Sequence, residues 1–200
     1  MSSNRPTLII MAKAPIMGRA KTRLARDIGV THAKRIYRAM MAQVIRNTSD
    51  PRWDTVISAT PISMMKTVPE WRGQSVTAQV SGSLSPKLAA VFARCGPSVC
   101  IGTDCPDVNA ADIAAAFKNI GRGRHVLGPA DDGGFWLIGT QGPARAGLFD
   151  DVRWSHAQTL ADMTARFERG RVQGQVTRLR TLIDVDDLAA LKERRRKYSR

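Results

Sequence analysis

The chain reads as an α/β domain built on a mostly parallel sheet, and three observations point there. Strand-like apolar runs alternate with segments of helical period along the chain. Two of the runs, Thr7–Lys13 and Ser98–Thr103, are compact enough to be strands buried within a sheet. The length of 200 residues, 43% of them hydrophobic, suits about one domain with a sizeable core and excludes disorder for most of it. A single domain over residues 1–200 is expected, closed by a basic tail at about 192–200.

The elements follow in order. Thr7–Lys13 (TLIIMAK) ends in a Pro/Gly-containing loop, with a helix expected to begin near Lys21. Thr31–Asn47 places Ile36, Met40 and Val44 at helical spacing, with Thr31 as its N-cap. Asp54–Thr60 is the next strand and Ser75–Val80 a weaker one. Leu84–Arg94 is helical despite Pro86, which a first turn tolerates. Ser98–Thr103 (SVCIGT) runs straight into Asp104, and Ala110–Ile120 is an amphipathic helix. His125–Pro129 and Phe135–Thr140 are strands on either side of the turn Asp131–Gly134. Ser155–Arg169 is a helix capped by Ser155. Asp184–Lys197 is the last one, its opening acids favouring the helix dipole. The run Lys192–Arg200 reads as a solvated tail with at most weak nucleic-acid affinity.

Open sheets of this kind bind ligands beyond the C-terminal ends of their strands. Attention therefore falls on the loops after Lys13, Thr103 and Pro129. The charge agrees. The 31 Lys and Arg against 17 Asp and Glu leave +14, a field that attracts polyanions. Divided into fifty-residue quarters, that total becomes +8, +3, −2 and +5. The one acidic quarter holds Asp104, Asp107, Asp131 and Asp132. A carboxylate-rich patch in a cationic protein suits a divalent metal meeting a phosphate ester; uneven solvated charge is the alternative.

Three cysteines, Cys95, Cys100 and Cys105, form no CxxC pair and suggest reduced, partly buried thiols. No apolar run of eighteen residues and no signal-peptide pattern occurs. A cytoplasmic protein without a membrane span is expected.

Three segments carry candidate chemistry. The loop Lys13–Leu24 packs Lys13, Arg19, Lys21 and Arg23 around Gly18, so that amides and cations can converge on a diphosphate. It is not a Walker A loop, whose glycines would fall at Pro15 and Ala20; a solvated basic turn is the competing account. Asp104 and Asp107, at the mouth of a strand, make a hard-cation site for Mg2+ or Mn2+, unless Asp107 is a helix cap or turn residue. In Asp131-Asp132-Gly133-Gly134, adjacent acids beside permissive glycines can bind metal or act as a general base toward an acceptor hydroxyl. The same residues also spell an ordinary hairpin turn. Asp186 lies within a further acidic run and can reach a metal. His156 has no Ser or Cys partner motif, so a hydrolytic triad is not expected, and His32 and His125 are ordinary histidines.

Five motifs in order, AKAPxxGxAKTRL (Ala12–Leu24), IGTDCPD (Ile101–Asp107), LGPAxDGGFWLIG (Leu127–Gly139), WS (Trp154–Ser155) and DVD (Asp184–Asp186), resemble the bacterial GT-A glycosyltransferase-like family assigned to arsenosugar biosynthesis. That family is similar in fold to the 2-phospholactate and molybdenum-cofactor guanylyltransferases. The resemblance runs from about residue 7 to 191. It implies a Rossmann-like GT-A sheet with one reversed strand and a metal held by Asp104, with Asp186 as a further candidate. It also implies nucleotide phosphates lined by Lys13, Ala14, Pro15, Gly18, Lys21, Thr22 and Arg23, and an acceptor side formed by Asp131 to Gly134, including Gly133 and Gly134. The chain departs from the family at Gly82–Lys87, where two acids and a glycine are replaced, which bears on substrate choice and activity.

The expected function is metal-dependent transfer from a nucleotide-activated donor, foremost glycosyl transfer from a nucleoside diphosphate sugar to a small-molecule acceptor. The alternative is nucleotidyl transfer from a nucleoside triphosphate to a phosphorylated acceptor. A non-catalytic basic nucleic-acid binder or a degenerate nucleotide-binding protein is the alternative of another class. Against nucleic acid stand the 6% aromatic content and the lack of an aromatic-interleaved basic motif.

Overall fold

The computed structural model describes residues 5–93, 96–169 and 175–198. Cys95, the end of the expected helix at Arg94 and the last two residues of the basic tail lie outside them. Strands β1 (Thr7–Lys13), β2 (Asp54–Thr60), β3 (Ser75–Ala78), β4 (Ser98–Ile101), β5 (His125–Pro129), β6 (Phe135–Thr140) and β7 (Val176–Arg178) form one sheet. Its order is β3-β2-β1-β4-β6-β5-β7. Only β6 runs against its neighbours, pairing antiparallel with β4 and β5; the remaining pairs are parallel. The mostly parallel mixed sheet with one reversed strand is therefore present, and its parallel strands end on a common edge.

Helices α1 (Thr22–Ile28), α2 (Val30–Asn47), α3 (Leu84–Val91), α4 (Ala110–Ile120), α5 (Thr159–Glu168) and α6 (Leu188–Tyr198) flank it. Alternation along β1 sends Leu8, Ile10 and Ala12 to one face, against Met41 and Val44 of α2 and the α4 side chains Ile113 and Ile120. Ile9 takes the other face, with Leu88 and Phe92 on the α3 side and Met163 and Phe167 of α5. Burial on both faces explains the near-continuous apolar runs. A third cluster joins Leu24 of α1, Met40 of α2 and Leu191 of α6 to Ile183 and Val185. Leu24 and Val185 are fully buried there, so replacing either by alanine costs about 2–4 kcal/mol. Cys100 and Cys105 are buried free thiols.

Several expected boundaries move. Thr31 is inside α2, not its cap: Gly29, at φ 81, ends α1 and begins α2 in one residue. Ser155 does not cap α5 either. It sits at φ 55 in a turn, and the helix starts after Gln158, because Thr159 Oγ1 closes that turn at 2.6 Å from the Arg153 carbonyl and 2.7 Å from the His156 carbonyl. The last helix begins at Leu188 rather than Asp184. Asp187 Oδ1 accepts the Ala190 N–H at 2.9 Å as its cap, while Ile183 and Val185 are held in the third cluster. The basic run over 192–198 is the end of α6, with every residue but Arg194 exposed.

Candidate functional site

The loops that leave β1, β4 and β5 meet at the C-terminal edge of the sheet, with the segment Leu182–Asp186 laid across them. Tyr37 of α2 fastens the end of β1. Its buried hydroxyl donates to the Lys13 carbonyl at 2.8 Å, accepts the Lys13 N–H at 3.1 Å and lies 3.4 Å from Thr103 Oγ1. Burial raises the Tyr37 pKa, with bonds to Thr103 and Lys13 acting the other way. The Val185 N–H donates to the Asp104 carbonyl at 3.0 Å, and the Asp131 N–H to the Leu182 carbonyl at 3.1 Å. An extended segment sends alternate side chains to opposite sides. With Ile183 and Val185 buried in the third cluster, Asp184 and Asp186 are left to face Asp104.

The result is a carboxylate cluster. Asp104, Asp184 and Asp186 each offer an oxygen, and these three lie within 4.8 Å of one another. Lys21 enters it: the ammonium is 2.6 Å from Asp104 Oδ1 and 2.6 Å from Asp186 Oδ1, with its side chain only 3% exposed. Its backbone adopts φ 52 and ψ 47, the left-handed region, which costs a non-glycine residue about 1–2 kcal/mol. Burial opposes charging Lys21, but the carboxylates of Asp104, Asp186 and Asp184 outweigh it and hold its pKa above the ordinary lysine range. Burial, then the negative charge of Asp104, pushes Asp184 up to about 7, with Lys21 opposing and Asp186 and Asp132 adding to the rise. Asp184 Oδ1 is buried and has no hydrogen-bond partner among the described residues. Fully ionised, three carboxylates against one ammonium leave two negative charges, and all donors are hard oxygens. Together with the orphaned oxygen of Asp184, this donor set fits Mg2+ or Mn2+.

The expected site residues divide. Lys21, Asp104 and Asp186 come together, and Arg23 Nη1 lies 4.0 Å from Asp186 Oδ2. Asp131 borders the cluster, its Oδ1 accepting the Asp184 N–H at 2.9 Å. Asp132 Oδ1 instead takes the Gly134 N–H at 2.8 Å, closing its own turn. The Lys13 side chain is exposed on the same edge, as is Thr22 at the start of α1. Ala14 is buried and tied by its N–H to the Thr60 carbonyl, next to the part-buried Pro15. Gly18 adopts φ 73 in the exposed part of the loop. Gly133 does not leave room for a ligand: a Cβ there would come within 2.1 Å of the Ala157 carbonyl oxygen, so its missing side chain admits the protein's own backbone. Asp107 is not in the cluster. Arg194 of α6 grips both its oxygens at 2.7 and 2.8 Å, and Arg180 donates to its carbonyl while pairing with Asp112 of α4. Tyr37 and these two arginines carry no sequence signal; Asp184 stands in the DVD motif but reads there only as a helix-opening acid, although its alternation with Ile183 and Val185 points to the cluster.

The substituted stretch Gly82–Lys87 opens α3 on the other face of the sheet. Ser85 Oγ donates to the Phe149 carbonyl at 2.7 Å and accepts the Trp154 indole N–H at 2.8 Å, so the two motifs hold each other. A cavity of about 70 Å³, lined by Ser58, Gln79, Lys87 and Val91 among others, lies beside it and contains none of the clustered carboxylates.

The profile of DUF2064, a family described as an uncharacterized protein conserved in bacteria, matches residues 43–156. The chain belongs to the DUF2064 family. No curated protein matches it. Among solved structures, this DUF2064 chain resembles a protein from Desulfovibrio desulfuricans G20 provisionally assigned as a nucleotide-diphospho-sugar transferase, at 24% identity and TM-score 0.87, over 96% of this chain and 87% of that one. It also resembles Rv0371c from Mycobacterium tuberculosis H37Rv in complex with manganese, at 16% identity and TM-score 0.53, over 94% and 97% of the two chains. A third likeness is CMP:2-keto-3-deoxy-manno-octonic acid synthetase complexed with CTP, at 10% identity and TM-score 0.61, covering 98% of each chain. The DUF2064 chain therefore shares the fold of nucleotide-diphospho-sugar transferases and nucleotidyltransferases. No described helix is long and apolar enough to cross a membrane.

Proposed function

We propose that this DUF2064 protein is a metal-dependent transferase that acts, as one domain, on a nucleotide-activated donor, moving a glycosyl group from a nucleoside diphosphate sugar to a small-molecule acceptor. The observation that carries the reading is the meeting of Lys21 with Asp104, Asp184 and Asp186 at the C-terminal edge of the sheet. Asp104, Asp184 and Asp186 would hold Mg2+ or Mn2+, which when bound supplies electrophilic stabilisation of the departing diphosphate. Lys13, Lys21 and Arg23 neutralise the same oxygens from the β1 loop, with Ala14, Pro15, Gly18 and Thr22 shaping it. The turn from Asp131 to Gly134 faces the acceptor, and a carboxylate of Asp131 or Asp132 takes the proton from the attacking hydroxyl. The manganese bound by the Mycobacterium tuberculosis structure and the provisional assignment of the Desulfovibrio protein support this choice. The motif resemblance adds arsenosugar biosynthesis as the setting, and the lack of a signal-peptide pattern in the sequence adds the cytoplasm.

Nucleotidyl transfer is the second reading, favoured by the CTP held in a structure of the same fold. Both reactions leave charge on bridging phosphates, so the same residues serve either. Incubation with a panel of sugar nucleotides and nucleoside triphosphates in the presence of Mn2+ separates them. Nucleoside diphosphate released from sugar nucleotides supports glycosyl transfer; pyrophosphate released only from triphosphates sinks it.

A further inference from the structure

Lys21 stands where a bound cation would. Its ammonium bridges oxygens of Asp104 and Asp186, 2.6 Å from each, and those are two of the three carboxylates that converge. The third, Asp184, keeps a buried oxygen without a partner among the described residues, so the internal cation satisfies only part of the cluster. Arg23 adds a second positive charge 4.0 Å from the other oxygen of Asp186. Lys21 belongs to the same loop as Lys13 and Arg19, both exposed to solvent, where a polyphosphate would have to lie. Its left-handed backbone, φ 52, places the side chain inward while its neighbours on the loop point out.

We propose that Lys21 is the resident counter-cation of the cluster. It competes with a divalent metal for Asp104 and Asp186, and it turns to the donor's phosphates when they arrive, so that metal binds tightly only together with the donor. The inference rests on the metal-dependent reading above and adds an order to it. A metal ion entering alone must approach an ammonium held on the oxygens it needs. At such separations a single and a double positive charge weaken each other's binding about tenfold or more, even in a medium as polar as water. A diphosphate removes that opposition by offering the ammonium an equivalent anion outside the cluster.

The test is Mn2+ binding by the full chain, followed by electron paramagnetic resonance of the free ion, with and without a panel of nucleoside diphosphates. Lys21→Gln and Lys21→Met, checked for folding by circular dichroism, are each expected to bind Mn2+ alone at least about tenfold more tightly than the unaltered protein. They are also expected to lose most of the gain that a diphosphate gives it. Unchanged or weaker Mn2+ binding by the folded variants overturns the competition. Should neither variant fold, the unaltered protein decides: the Lys21 side-chain ammonium resonance must move on saturation with Mg2+ and diphosphate, and a resonance that stays in place overturns the proposal. Failure of the unaltered protein and the variants alike to bind Mn2+ under every condition overturns the metal-dependent reading itself.

Discussion

Asp184 illustrates how a site can be built against stability. Its carboxylate is buried beside Asp104, Asp186 and Asp132, and it leaves one oxygen unpartnered among the described residues. Nothing in folding rewards that arrangement, whereas a divalent cation would. Asp184→Asn keeps the shape and removes one charge from the crowd. Without metal, the variant should be more stable than the unaltered protein by about 1 kcal/mol, a rise in melting temperature of about 2–4 °C. Its transfer activity in saturating Mn2+ should fall at least about 100-fold. Opposite signs in calorimetry and turnover mark a functional group; a loss in both would mark a structural one. Lys21 and Asp104 were legible because strand-loop context and residue type point to them; Asp186 was legible only as one acid of a run that could reach a metal. Asp184, two residues before it, reads in the sequence only as a helix-opening acid, and what turns it toward Asp104 is the burial of Ile183 and Val185 in the third cluster. Asp107 misled for the same reason: its place three residues after Asp104 is local, while its partner Arg194 is 87 residues away.

Most elements were readable because their signals are local. β1, β2, α4, β5 and β6 coincide with the apolar runs and periods that announced them. β7 has three residues and no apolar run; it is a strand only because β5 pairs with it. Long-range pairs likewise dock α6. Arg194 and Asp107 are both largely buried, at 20% and 12% side-chain exposure, and their two-pronged contact holds the β4 loop against the helix. Arg194→Ala should cost about 1–3 kcal/mol by urea unfolding, Asp107→Ala a similar amount, and the double variant no more than either alone. Full additivity would show that the two side chains do not act on each other. At the start of β5, His125 stacks on Phe167 of α5, ring centres 4.2 Å apart, and its Nδ1 is buried without a partner among the described residues. Burial, then the positive charge of Arg145, lowers its pKa below the ordinary value of 6.5. The unfolded chain therefore binds the proton more readily, so His125 must erode stability as the pH falls below about 6.5 and not above it. Between pH 7.5 and 5.5 the urea midpoint of the unaltered protein should fall relative to that of His125→Phe, since the gain from protonating Asp184 in the same window is common to both. An equal change in both would clear His125 of any part in it.

The net charge of +14 changes meaning once the molecule is assembled. Arg180 ties the β4 loop to α4 and Arg194 ties it to α6, and Arg153 holds the start of α5 through Asp162. Those charges are structural, not an invitation to a polyanion. Asp104 and Asp131 of the third quarter and the acids of the segment Asp184–Asp186 converge instead on one edge, beside the basic β1 loop. A uniform cationic field binds any long polyanion and fails in salt, whereas a focused pair of opposite fields suits a small phosphorylated ligand carried with a metal. Melting temperature distinguishes the two. A ligand present at about 100 times its dissociation constant stabilises by about 2.7 kcal/mol, which for a domain of this size is about 5–10 °C. Mn2+ with a matching nucleoside diphosphate should produce that rise, exceed the sum of the rises from each alone, and keep most of it in 0.3 M NaCl. Chelating the metal should return the protein to its starting value. A rise with random duplex DNA that vanishes in the same salt, and none with any nucleotide and metal, would assign the charge to nucleic acid and leave the carboxylate edge without a ligand.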